Sequence, residues 1–108
     1  MKKVALMIVA LLVCTSSWSQ TVTTIAGSAL LSGNGNGIGT SARFNEPHGI
    51  ASDKNGNIFV ADRLNNCIRK ITPSGVVSTI AGTGVAGSND GSGTVATFNE
   101  PWAVATDT

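Results

Sequence analysis

The sequence predicts an all-β fold assembled from repeated antiparallel units. Three observations carry this. First, the chain repeats itself in phase: VTTIAG at 22–27 returns as VSTIAG at 77–82, FNEP at 44–47 as FNEP at 98–101, and GIASD at 49–53 as AVATD at 103–107. Second, the stretch 44–82 contains four short Val/Ile-rich runs separated by turn residues. Third, the composition is glycine-rich, with 13 Gly, only 12% charged residues and 5% aromatics. That profile excludes a coiled coil or an acidic disordered tail. A repeat of this size built from β units points to a propeller or a solenoid.

The elements follow in order. Lys2 and Lys3 precede an unbroken apolar run, Val4 to Val13, and Ser17 and Ser19 offer small residues before Gln20. This reads as a secretory signal peptide over 1–19, cleaved before Gln20. The run is too short to span a bilayer, which takes about 20 apolar residues. Lipidation at Cys14 is disfavoured by the bulk of Val13 beside it. The expected location is secreted or periplasmic, with no membrane span after the leader is removed. The remaining residues, 20–108, form the expected repeat domain.

Within the complete unit, about 47–82, the first strand is expected at His48 to Ser52, after Pro47, whose missing N–H suits a strand start. Asp53-Lys54-Asn55-Gly56 is a turn, with Asn-Gly supplying positive φ. Asn57 to Ala61 is the second strand. In the next turn Asp62 is expected to accept backbone N–H bonds, and Asn65 or Asn66 to adopt the left-handed conformation. Cys67 to Thr72 and Val76 to Ala81 are the third and fourth strands, joined through Pro73-Ser74-Gly75. Ile58-Phe59-Val60-Ala61 is apolar on both faces, as in a sheet buried on two sides. Partial units are expected at 21–27 and 98–108. The Gly/Ser/Asn/Thr-rich segments 28–43 and 83–97 read as variable connections. One residue is missing from the second copy, somewhere between Gly82 and Phe98.

These residues carry a family resemblance. Pro47-x-Gly49-Ile50-Ala51-x-Asp53, Gly56 through Asp62, Asn65-x-x-Ile68-Arg69-Lys70-Ile71, Gly75 and Ile80-Ala81-Gly82 resemble the NHL repeat in order and spacing. The resemblance covers essentially all of 22–108. It implies a β-propeller of four-stranded antiparallel blades around a central tunnel, with about one complete blade and two partial blades present. On that reading the chain is a fragment, and the missing blades of the same chain are its first partners. Val22 to Ala26 is then expected to close the ring against the final blade. Cys67 departs from the pattern, since family members often carry a basic residue there.

The chemical signals are few. Past Gln20 five basic and six acidic side chains remain, a net charge of −1, with no basic stripe for nucleic acid. Gly82-x-Gly84-x-x-Gly87 matches a dinucleotide fingerprint, but the residues that follow break helices, and the fingerprint needs a helix to open there. The Asn/Asp-Gly loops carry too few carboxylates for calcium. No nucleophile–base pair occurs, so no catalytic residue, metal ligand or cofactor is assigned. Glu46, Glu100, Asp53 and Asp107 recur in phase, which marks them as structural hydrogen-bonding groups. Cys67, in a strand, reads as a small buried residue.

His48 and Trp102 share one repeat position, so their side chains should project alike. They are the candidate binding residues, as neighbouring parts of one rim, with ordinary packing at a strand start as the alternative. The function expected is an exported recognition scaffold for a protein, peptide or glycan. The alternatives are a lyase- or lactonase-type propeller enzyme whose tunnel metal is held mostly by missing blades, and a sensor domain of a larger exported protein.

Overall fold

The computed structural model describes residues 6–10 and 21–107. Among the described residues the fold is all-β, with seven strands and three short 3-10 turns. Strand β1 (Leu6–Ala10) pairs antiparallel with β2 (Thr21–Ala26). The remaining five form one antiparallel sheet in the order β3-β7-β6-β5-β4. These are β3 (Gly37–Ile38), β4 (Pro47–Ser52), β5 (Ile58–Asp62), β6 (Cys67–Ile71) and β7 (Val76–Ala81). Among the described residues no helix is long and apolar enough to cross a membrane.

The four expected strands of the complete unit are β4 to β7, and the turns between them have the expected chemistry. Asp53 Oδ1 accepts the N–H groups of Asn55 and Asn57, each at 2.9 Å, and Gly56 takes φ 86°. Asn66 is the left-handed residue, with φ 54° and ψ 44°. Asp62 departs from expectation. It caps no turn N–H but reaches back to accept the N–H of Asn45 at 2.8 Å.

Cross-strand register fixes the two faces of the sheet, since directly opposed residues share a face. Val60 opposes Arg69 and Ile50, Ile58 opposes Ile71, and Ile71 opposes Val77. On this face Val60, Ile71 and Val77 pack against Ala26, Ala42 and Phe44, all buried, to make the core. Burial on two faces holds only within β5, where consecutive Val60 and Ala61 are both fully covered. Toward the edge, β4 alternates half-buried with exposed residues, and Ile50 stands open on the core face. The expected two-sided burial is therefore confined to β5; β6, which is also flanked on both sides, alternates buried with half-buried residues.

The connections are more regular than their composition implies. Gly37–Ile38 adds a short fifth strand against Val77 and Val76, and Ala42 and Phe44 close the core. The two long loops also follow the same path. Gly27 N donates to Gly39 O (3.1 Å), Gly33 N to Phe44 O (3.1 Å) and Arg43 N to Gly35 O (2.9 Å). In the second loop Gly82 N donates to Gly93 O (3.2 Å), Gly87 N to Phe98 O (3.0 Å) and Thr97 N to Asn89 O (3.0 Å). Each bond has its counterpart one repeat later. Residues 28–43 and 83–97 are thus structured parts of the repeat, not variable connections. Gly27 and Gly82 are 55 apart, whereas Gly33 and Gly87 are 54 apart, so the missing residue lies between Gly82 and Gly87.

Two ends of the chain differ from expectation. Leu6–Ala10, inside the expected leader, forms β1 on the edge of β2; the rest of residues 1–19 lies outside the described residues. The β1–β2 register copies that of β6–β7. Leu6 opposes Ala26 and Met7 opposes Thr24 across a bulge, as Ile68 opposes Ala81 and Arg69 opposes Thr79. Strand β1 therefore stands where the third strand of a preceding unit would stand. A bare strand edge with an apolar run nearby accounts for the pairing. At the other end, residues 98–107 form no strand. They lie along β4, with Thr106 Oγ1 donating to Ser52 O (2.6 Å).

Candidate functional site

The site is built where one unit meets the next. In both FNEP segments the Glu before Pro holds positive φ, 51° at Glu46 and 52° at Glu100. A non-glycine residue in that region is strained. Its recurrence means that Pro47-His48 and Pro101-Trp102 leave the two turns in matching directions. Gly49 then lets the second segment dock: a Cβ there would fall 2.5 Å from Ala103 Cα and 2.7 Å from Trp102 O. Only a glycine admits the neighbouring backbone this closely.

The result brings His48 and Trp102 together. Their rings stack with centroids 3.9 Å apart and planes inclined by 24°. Both side chains are exposed, Trp102 at 61%. Arg63, from the turn after β5, locks the pair. Its NH1 donates to Glu46 Oε1 at 2.9 Å, its NH2 is ion-paired with Glu100 Oε1, and its Cζ lies 5.3 Å from the centre of the Trp102 ring. Stacking and a cation over an aromatic face each contribute roughly 0.5–1.5 kcal/mol in such settings. Asn66 Oδ1 accepts Glu100 N–H at 2.9 Å and ties the second turn to the first unit. Glu46 and Glu100 are therefore structural, as their periodicity implies, and they act through a shared arginine. Arg63 Nε is buried with no partner among the described residues.

Behind the rim lies a second ionic group that the sequence reading missed. Arg69 and Asp62 are both fully buried and paired at 2.7 Å. Arg69 also donates to Arg43 O (2.8 Å), Gly35 O (3.0 Å) and Asn36 Oδ1 (2.7 Å), which anchors the first long loop. Its Cζ sits 5.0 Å from the Phe44 ring centre. Burial lifts the Asp62 carboxyl above its ordinary value, against the downward pull of Asn45 N–H, Asn65 and Arg69. Cys67 is buried and unpaired, and burial pushes its thiol up to about 11. It is the inert packing residue the sequence implies. Neither arginine gives a local signal, because, Asp62 apart, their partners lie 17 to 37 residues away in sequence. Asp107, expected to match Asp53, is exposed.

The fold and the site define a segment of a β-propeller, built from repeated four-stranded units joined through a common rim. Residues 44–71 match the NHL repeat. The chain is 40% identical over 72 residues to NHL repeat-containing protein 2 of Bos taurus, an alignment covering 64% of this chain and 10% of that one. It also resembles two solved structures from Bacteroides thetaiotaomicron. One is a protein of unknown function (TM-score 0.75, 34% identity, 82% of this chain and 23% of that chain). The other is an auxiliary nutrient binding protein (TM-score 0.73, 29% identity, 84% of this chain and 26% of that chain). The chain thus spans about a tenth or less of the curated relatives it matches and about a quarter of these structures. It contains an NHL repeat and has the fold of a partial β-propeller.

Proposed function

We propose that this chain is part of an exported ligand-binding propeller, which meets its protein, peptide or glycan partner at the rim formed by His48 and Trp102. The observation that carries the reading is the exposed His48–Trp102 stack, held across a repeat boundary by Arg63 between two carboxylates. Large aromatic groups left open on a rigid frame are what recognition surfaces use. Leaving them exposed offers folding little. The leader-like residues 1–19 and the likeness to an auxiliary nutrient binding protein support work outside the cytoplasm.

The test is a glycan and peptide array probed with the full-length protein and with Trp102→Ala and His48→Ala. Ligands of the unaltered protein should lose about tenfold or more in affinity with Trp102→Ala, as expected on truncating an anchoring aromatic side chain. A ligand set bound equally by all three proteins would place recognition elsewhere.

A further inference from the structure

A cavity of about 330 Å³ lies between the two long loops. Asn34 comes from the first loop, and Thr83 and Thr94 come from the second; Asn65, Cys67 and Thr79 form the rest of the lining with Gly82 and Gly84. It shares no residue with the His48–Trp102 rim. Its volume lies at the small end of the range for ligand pockets, roughly 300–1,000 Å³.

We infer that this cleft is a separate binding site for a neutral sugar unit. No lining side chain carries a charge. The nearby Asp62 and Arg69 are spent on one another. A charged ligand would lose its hydration and meet no counter-charge. An apolar ligand would strand the hydroxyls and amides.

The polar groups are of the kind that vicinal hydroxyls satisfy. Both amide hydrogens of Asn65 are used, on Gly33 O (2.6 Å) and Asp62 Oδ2 (2.7 Å), which leaves Oδ1 as a fixed acceptor. Thr79 Oγ1 donates weakly to Asn36 Oδ1 at 3.3 Å and shares a hydrogen bond with the Cys67 thiol, which leaves it one lone pair for a ligand. Among the described residues, the Asn34 and Thr94 side chains have no hydrogen-bond partner. The cleft thus pairs a preset acceptor with hydroxyl and amide groups still able to donate. Gly82, with φ 96°, shapes one wall. A Cβ there would fall 2.6 Å from Asn66 O and 2.8 Å from Cys67 Cα, so only a glycine lets this wall lie against the Asn66–Cys67 backbone.

The experiment is saturation-transfer NMR and isothermal titration on the full-length protein. The probes are maltose, cellobiose and lactose, with glucuronate as the charged control. At least one neutral disaccharide should bind saturably below about 10 mM, and glucuronate should bind more weakly. Thr79→Val and Thr94→Val should each weaken binding by about two- to tenfold, the span of one neutral hydrogen bond. The threonine variants are compared in the Trp102→Ala background as well, where sugar held at the rim is lost and only cleft binding is read, so failure here is separable from failure at the rim. Thr94 is exposed, so its variant remains informative if Thr79→Val does not fold. Absence of saturable binding, glucuronate binding of equal strength, or insensitivity to Thr94→Val would each overturn the inference.

Discussion

Replacing Arg69 by methionine should be among the most costly single changes in the blade. The methionine can follow the apolar stem of Arg69 beside Phe44 but supplies no donor. Asp62, fully buried, then keeps only Asn45 N–H and the Asn65 amide. Two loop carbonyls, Arg43 O and Gly35 O, lose their guanidinium donor. Removing one partner of a buried pair costs about 3–5 kcal/mol, and the released Arg43 carbonyl brings the expected loss to the upper part of that range, while Gly35 O keeps the Arg43 N–H. Asp62→Leu combined with Arg69→Met should recover part of it, since the buried carboxylate is removed as well. Urea unfolding of the single and double variants measures the coupling, and limited proteolysis reports release of residues 28–43. A loss below about 1 kcal/mol for Arg69→Met, with the loop equally resistant, would refute the claim that this arginine joins loop to sheet.

Other outcomes follow from the same geometry. Gly49→Ala forces a methyl into the Ala103 backbone; an overpacking cost of about 1–3 kcal/mol is expected, with the His48–Trp102 stack opening as seen by Trp102 fluorescence. Cys67 should resist a thiol reagent at pH 8 in the native protein and react once it is unfolded, because its thiol titrates near 11. Asp53 is held below its ordinary value by its bonds to Asn57 and Asn55. Its contribution is therefore present above the unfolded pKa near 4 and is lost as pH falls through the lower folded value. Asp53→Asn should flatten the acid side of the stability profile there, and an unchanged profile would show the turn to be indifferent to this charge.

How much of this was legible in the sequence depends on the range of each interaction. Strands β4 to β7 and their turns were readable because turn chemistry is local: Asn55-Gly56 and Pro73-Ser74-Gly75 declare themselves within a few residues. The meeting of His48 and Trp102 was readable through repeat phase, which substitutes for distance. Arg63 and Arg69 were not, because a charged residue in a turn or strand normally reads as solvated, and only the fold shows what it reaches. The loops were misread because their side chains differ while their main-chain bonds agree. The glycines at 27, 33 and 39 and at 82, 87 and 93 held that information as spacing, not as composition.

That last feature bears on how such a protein can change what it recognises. Main-chain bonds set the path of each long loop, so side chains along it can be exchanged without redrawing it. Asn34 in one loop and Thr83 and Thr94 in the other sit at different steps of a shared route. A chain with more units would carry this route once per unit, as a row of equivalent positions whose occupants vary independently. Specificity could then drift one loop at a time while the frame beneath kept its register.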